Sequence, residues 1–504
     1  MSFYNRYVEN GAVSGNTFLT MQPEKAEPPV FADIKNLLPQ PFWTGRDDVV
    51  ACYWKAWELA FRSIGRPTVE NGFVSNYLRT CFNDCLFMWD SVIALMYGKY
   101  GRRAFNFQKT LDNLYAKQHP DGFICREIAE EDGTDRFHRY DPSSTGPNTM
   151  PWSEWEYFLT VSDTERLGRV FPVLAAYHQW LKAWRTWPDG AYWSSGWGTG
   201  MDNQPRLRPG SHMEFYHGHM SWADSCFQMI FSAKTLTEIA EILGRGDEAA
   251  AFGEEAESLA RFVNEKLWDA KENCYFDRYE DGSLSGIKTL GVYWALLAGA
   301  VPPERLPAFV AHLEDKKSYN RPHRVPSMPA DSPFYSPEGN YWRGGVWVFT
   351  NYMLMRGLTR TGYDALAYDI AVNHLDNVVK VFGQTGTIWE NYSPEYPAPG
   401  KPALRDFVGA GGVSPISVLF EYVFGLRPEA QKSRLVWDVR RLEAHGVNNY
   451  PFGINGVMDL SCGERLSEAE EPKVTIRSNI PAEAEVRWNN GASVKRIHIQ
   501  GGTK

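Results

Sequence analysis

The sequence predicts a mostly α-helical protein with a small β appendage at its C-terminus. Three observations carry this reading. Apolar residues recur at helical spacing through the central 46–427, and the pattern shortens after about 428 into brief alternating, β-branched runs. No stretch of about 18 apolar residues occurs, which excludes a membrane-spanning helical class. The chain has 504 residues, enough for one large domain with an appendage.

Taken in order, residues 1–45 are rich in Pro and turn formers and lack helical periodicity, so they read as an extended arm over the main body. Helical patterns follow at 46–64, 84–99, 102–117, 148–161, 163–184, 218–243, 246–269, 284–299, 303–314, 342–361, 363–382 and 412–425. Among the clearest is the run carrying Ile230, Leu236, Ile239, Ala240 and Leu243, stopped by Gly244. The next sets Glu254, Glu255, Glu257 and Arg261 on a polar face, with Phe252, Ala256, Leu259, Phe262 and Leu267 on the apolar one. The connecting loops are long and full of Trp, Gly, Pro and charge, the usual place for chemistry on a helical scaffold. Strands are predicted at 434–438, 455–460, 472–478, 483–488 and 493–499, punctuated by Ser478-Asn479-Ile480-Pro481 and Asn489-Asn490-Gly491. The predicted units are therefore 1–45, 46–427 and 428–504, the last a stabilising cover rather than a binding module. No repeat of 20–50 residues and no low-complexity segment is visible.

Composition narrows the function. Net charge is -9 without a long basic run, which argues against nucleic acid. Aromatics make up 14%, with 19 Trp and 25 Tyr, and flat rings suit the C–H faces of sugars as well as cores. The 7 cysteines are odd in number and scattered, so reduced buried thiols are expected rather than a disulfide framework. Cys81 and Cys85, four apart, would share one face of a helix. No signal peptide is visible at the N-terminus, which makes the cytoplasm the expected location.

Two carboxylates stand in aromatic loops. Glu390 lies between Trp389 and Tyr392, just before Ser393-Pro394. Asp202 lies in the Gly- and Trp-rich stretch from Trp193 to Arg206. A carboxylate beside rings and away from bulk water has a shifted pKa that suits proton transfer. A pair of them is what glycoside hydrolysis requires. Further loop motifs carry candidate sugar-binding residues. Trp89-Asp90-Ser91 offers a ring and an acceptor, although Asp90 also reads as a helix cap. Arg126-Glu127 reads equally as a structural ion pair. Ser144-Thr145-Gly146-Pro147-Asn148-Thr149 precedes Trp152 and Trp155. Tyr341-Trp342-Arg343-Gly344-Gly345-Val346-Trp347 sets aromatics beside two glycines.

In order and spacing these motifs resemble glycoside hydrolase family 63 and its family 37 trehalase relatives. The compact bacterial type, which includes mannosylglycerate and glucosylglycerate hydrolases, is the nearest in character. The matched stretches are Trp89-Asp90-Ser91, Gly196-Trp197 to Asn203, Trp222-Ala223-Asp224, Tyr341 to Trp347, Glu390 to Pro394, and the Gly-rich Phe407 to Ser414, spanning roughly 40–425. The resemblance implies an (α/α)6 toroid with the loops gathered at one end. It also implies an inverting mechanism, with Asp202 as general acid and Glu390 as general base, their carboxyls roughly 6.5–9.5 Å apart. Trp89, Asp90, Arg126, Trp197, Asn203, Arg206, Tyr341, Trp342, Arg343, Trp347, Trp389 and Tyr392 are the expected substrate contacts. Arg206 could orient substrate or pair with a carboxylate; Arg206 and Arg343 would suit an anionic aglycone, but arginines also clamp neutral sugars. Two departures stand out: Gly146-Pro147-Asn148 replaces the family's Gln-Pro-Pro, and Gly345 stands where Pro is usual.

The expected substrate is a short α-linked glucoside or mannoside, with a small carbohydrate as the only partner and no nucleic acid or membrane. No cofactor and no metal is expected. His212, His217 and His219 form the one metal-like cluster, but outside any His-Glu-x-x-His frame, and no Asp-rich calcium loop appears. A phosphorylase or lyase on the same toroid, or a non-catalytic carbohydrate-binding protein, are the alternatives. A phosphorylase would take the base role from Glu390, and a binding protein would tolerate neutralising Asp202.

Overall fold

The computed structural model describes residues 9–79, 84–211 and 215–502. The chain is mostly helical with a C-terminal β region. Asp47–Arg62 opens the helical part: Asp47 and Asp48 in its first turn favour the helix dipole, and Cys52, Tyr53, Ala56, Trp57 and Ala60 form its buried stripe. Thr164–Trp184 starts on Asp163, whose side chain accepts from the Arg166 amide. Asp364–Thr385 stops at Gly386, which turns through φ 70.

The helices pack in sequence. Met88–Gly98 packs on Met150–Val161, which meets Ala223–Ile242; that helix meets Trp294–Leu297, and Trp294–Leu297 meets Val348–Arg360. The short Val408–Gly411 bridges Val348–Arg360 back to Met88–Gly98. Asp47–Arg62, Thr164–Trp184, Gly246–Lys266 and Asp364–Thr385 pack against members of this circuit. A buried ionic knot ties its members. Lys99 Nζ is 3.2 Å from Glu156 and 3.0 Å from Glu421, Arg356 pairs with both glutamates, and Tyr100 and Tyr352 donate to Glu421 at 2.8 and 2.7 Å. Burial pushes Glu156 up, but Arg356 and Lys99 outweigh it and bring it to about 2.

Several predicted helices are shorter than their apolar patterns. Cys85–Phe87 is a strand and the helix begins only at Met88, so Cys85 is not on a helix; Cys81 lies outside the described residues. The 102–117 pattern holds α-helix only over Thr110–Tyr115, and 284–299 only over Trp294–Leu297, each preceded by a 3-10 turn. Residues 342–347 form a loop before Val348–Arg360, because Gly344 adopts φ 139. Ser414–Val423 winds as a π-helix. The described cysteines are buried and form no disulfide, and among the described residues no helix is long and apolar enough to cross a membrane.

Two four-stranded sheets form the β region. One orders Gln40–Trp43, His445–Phe452, Gly456–Cys462 and Val474–Ser478; the other orders Ser493–Ile499, Ala482–Trp488, Arg434–Asp438 and Leu426–Glu429. The N-terminal arm therefore supplies an edge strand to a sheet made otherwise of residues some 400 positions later. Phe42 faces Gly446 in the register, and a Cβ there would lie 2.7 Å from the Phe42 ring. The strand His445–Phe452 was not anticipated. Asn449 sits at φ 59 in a bulge between Val447 and Tyr450, which breaks the alternation that reveals a strand.

Candidate active site

Three loops meet over the ends of these helices and hold one another. The Asp202 loop leaves the short helix Gly196–Thr199 through Gly200, whose φ is 73. A Cβ at Gly200 would lie 2.9 Å from Trp89 Nε1, so only glycine lets this turn approach that ring. Asn203 then fastens the loop to its neighbour: its Oδ1 accepts from the Trp342 amide, its Nδ2 donates to the Asn340 carbonyl, and its own carbonyl accepts from Arg343 Nε, all at 2.9 Å. Gln204 Nε2 adds bonds to the Ser327 and Trp342 carbonyls at 2.9 and 3.2 Å. The 340–346 loop is joined in turn to the Glu390 loop. Val346 and Tyr392 exchange backbone bonds of 2.8 and 3.1 Å.

Asn340 and Tyr341 adopt φ 37 and 63, a conformation a bulky residue such as Tyr rarely takes, and the three-loop bonding holds it there. The result is that Tyr341 Oη reaches 3.5 Å from Glu390 Oε1. Gly345 donates to the Gly339 and Tyr341 carbonyls at 3.0 and 3.1 Å, and a Cβ there would meet Tyr341 O at 2.3 Å. Proline, the residue usual in the similar family, could make neither bond.

The loops enclose a cavity of about 320 Å³. Of the predicted residues, Trp89, Asp90, Arg126, Trp197, Asp202, Tyr341, Trp342, Trp347 and Glu390 line it. Trp342 and Trp347 stack with ring centroids 4.0 Å apart, and Tyr341 meets Trp347 edge-on at 4.8 Å. Asp90 occupies the third position of Met88–Gly98; Phe87 takes the cap position, so the capping role does not fall to Asp90. Phe87 pairs with Glu127 across a two-stranded ladder, which brings Arg126 and Glu127 beside Trp89 and Asp90.

Burial pushes Glu390 up to about 7, with the Asp202 charge adding to it against the 3.1 Å bond from the Leu404 amide. Burial, then the Glu390 charge, raises Asp90 to about 8. Tyr341 is driven well above the usual phenol range by burial and by the charges of Asp202, Glu390 and Asp90. It is therefore a neutral donor beside three carboxylates, near the centre of the site.

Other predicted contacts fall outside the lining. Arg206 is buried between Asp224 and Asp277, with bonds of 2.6–2.8 Å to both, and lies over the Trp222 ring at 4.4 Å, so it has no path to a substrate. Asn203 and Arg343 Nε make the loop contacts above, and neither residue lines the cavity. Trp389 donates from its ring to Thr385 Oγ1 at 3.0 Å, and the Tyr392 hydroxyl accepts from the Trp389 amide at 3.2 Å. His217 packs against Trp187 and Trp193 at 5.3 and 5.1 Å, and burial followed by the His219 charge lowers it to about 4. His212 lies outside the described residues, and among those described no group of three or more His, Cys, Asp or Glu is placed to hold a metal. Sequence reasoning missed Phe87, Gly200, Phe349, Leu404 and Phe407 as wall residues, and it left Glu127 out of the expected substrate contacts. A pairing of Cys85–Phe87 with Glu127–Ala129 was the one signal that could have found Glu127.

Residues 56–401, more than half of the chain, match the mannosylglycerate hydrolase MGH1-like glycoside hydrolase domain family. The mannosylglycerate hydrolase of Rubrobacter radiotolerans is 35% identical over 135 residues, 26% of this chain and 30% of that protein. A probable mannosyl-oligosaccharide glucosidase of Schizosaccharomyces pombe is 23% identical over 289 residues, 50% of this chain but only 35% of that larger protein. Among solved structures, the family 63 mannosylglycerate hydrolase of Thermus thermophilus in complex with glucose superposes with a TM-score of 0.58 at 20% identity. That match covers 73% of this chain and 99% of the other, a likeness of fold. With its carboxylates and rings gathered in one cavity, the chain belongs to the MGH1-like glycoside hydrolases of family 63, an inverting α-glycosidase family.

Proposed function

We propose that this protein cleaves a short α-linked hexoside, an α-glucoside or α-mannoside, with inversion at the anomeric carbon. Asp202 serves as general acid and Glu390 as general base. One observation carries the assignment: the two carboxylates, far apart in sequence, line the same aromatic-walled cavity on loops bonded to each other through Asn203 and Val346. The closed circuit of helix contacts, with further helices packed on its members, supports reading the helical part as an (α/α)6 toroid carrying the site at one end. The unit boundaries at 45 and 427 are kept as part of the same reading.

The chemistry follows from the residues. Protonated Asp202 donates to the glycosidic oxygen as the bond to the anomeric carbon breaks. Glu390 takes a proton from a water attacking the opposite face. A base titrating near 7 is ionised in a useful fraction at neutral pH and still basic enough to accept that proton. Asp90, raised to about 8, keeps its proton at neutral pH and can donate to a sugar hydroxyl. The substrate class draws on the relatives: the Thermus enzyme was solved with glucose, and with Tris and D-glycerate.

Activity of Asp202→Asn and Glu390→Gln on α-glucosides and α-mannosides tests the assignment. Each is expected to lose about 10²- to 10⁴-fold in kcat, with circular dichroism unchanged. Retention of wild-type kcat in either variant would remove that residue from its role.

A further inference from the structure

The cavity's charges bear on the half of the substrate that leaves. Among the described residues four carboxyl groups line it, Asp90, Glu127, Asp202 and Glu390, of which Asp90 and the general acid Asp202 hold protons, and a single cation, Arg126. That cation is already engaged. Its guanidinium pairs with Glu127, donates from Nη1 to the Trp197 carbonyl at 2.9 Å, and lies between the Phe137 and Trp197 rings, 5.1 and 5.4 Å from their centroids. The arginines expected to suit an anionic aglycone are not among the residues lining the cavity: Arg206 is held by Asp224 and Asp277, and Arg343 donates from Nε to the Asn203 carbonyl. A carboxylate entering here would leave water for a site rich in carboxyls without a spare cation, an unfavourable transfer.

Beside the cavity the surface is aromatic. Phe215, 47% exposed, packs on Trp197 with ring centroids 4.6 Å apart, and Trp197 is itself part of the cavity wall. An exposed ring continuing a cavity wall is the surface on which the C–H face of a second pyranose stacks.

We infer that the aglycone of this enzyme is an uncharged sugar ring seated against Trp197 and Phe215, and not a carboxylate-bearing group such as glycerate. This rests on the α-glycosidase reading above and extends it to the leaving group.

The test compares kcat/KM of the wild-type protein on matched α-glucosides and α-mannosides carrying glycerate, glycerol or a second hexose. The hexose-linked substrates are expected to lead, with the glycerate compounds at least about tenfold below the glycerol ones. A glycerate compound equal to or better than its glycerol counterpart would overturn the inference while leaving the glycosidase reading intact. Phe215→Ala is a half-exposed change that leaves the core alone. It should lower kcat/KM on the hexose-linked substrate by about three- to tenfold and change the glycerol glycoside less than about twofold. Equal effects on both, or none on either, would contradict the stacking. Turnover of none of these compounds, with no melting shift from any of them, would fail the glycosidase reading first and this inference with it.

Discussion

Glu390 is the residue on which the pH behaviour turns. Its carboxyl is raised to about 7 by burial, and it must be ionised to act as base. Activity therefore falls as pH drops below 7, and kcat/KM should rise with pH through an acid limb centred near 7. Tyr341 Oη donates to this carboxylate, which favours the ionised form. Tyr341→Phe removes that donor, so the limb should move to higher pH; a pH–rate profile with the limb unmoved would show that the phenol does not tune the base. The two catalytic candidates were legible in the sequence only through the order of the motifs around them, since a lone Trp-Glu or Met-Asp is more often structural. The roles of Asn203, Arg206 and Arg343 were not. A polar side chain on a functional loop reads the same in sequence whether it faces the ligand or fastens two loops together, and only the positions of Asn340, Trp342 and Asp277 distinguish them.

At the scale of elements, Arg206 locks the Asp202 loop to the start of Ala223–Ile242. It binds Asp224 in that helix's first turn and Asp277, which also accepts from the Ala223 amide at 2.9 Å. Burial works against its charge, but the two aspartates outweigh it, so the guanidinium stays charged. Arg206→Ala would leave two buried carboxylates without their counter-ion. It is expected to cost about 3–5 kcal/mol of stability, read by urea unfolding with activity in the native range as control. An unchanged midpoint with a raised KM would instead return Arg206 to a substrate role. Helix positions were readable from apolar periodicity, since Asp47–Arg62, Met150–Val161 and Thr164–Trp184 lie within two residues of their predicted bounds at each end. Among the misjudged starts, those at Met88 and Val348 fall where apolar or aromatic loop residues continue the helical pattern without helical backbone.

For the whole molecule, the β region is joined to the helical part by burial and by chain crossing. Tyr450 packs on Tyr100 and Phe420 at 5.5 and 5.8 Å, Trp437 Nε1 donates to the Phe424 carbonyl at 2.9 Å, and Gln40–Trp43 completes a sheet from the opposite end of the sequence. Removing residues 428–504 would uncover the Tyr100 and Phe420 rings and leave Gln40–Trp43 an unpaired strand, so the truncated protein should aggregate on expression. A soluble, active product would show the region to be dispensable. The predicted strands lay close to their observed bounds, whereas the pairing of 40–43 with 445–448 could not be read, because strand register between distant segments leaves no local signature.

The central claim is that Asp202 and Glu390 hydrolyse an α-glycoside by single displacement. Proton NMR of the reaction in its first minutes tests it most directly, before mutarotation mixes the anomers. The account predicts that the β-anomer of the released hexose appears first, and that Asp202→Asn and Glu390→Gln abolish the signal. Early release of the α-anomer would contradict it, since retention requires a covalent glycosyl intermediate and would make one of these carboxylates a nucleophile.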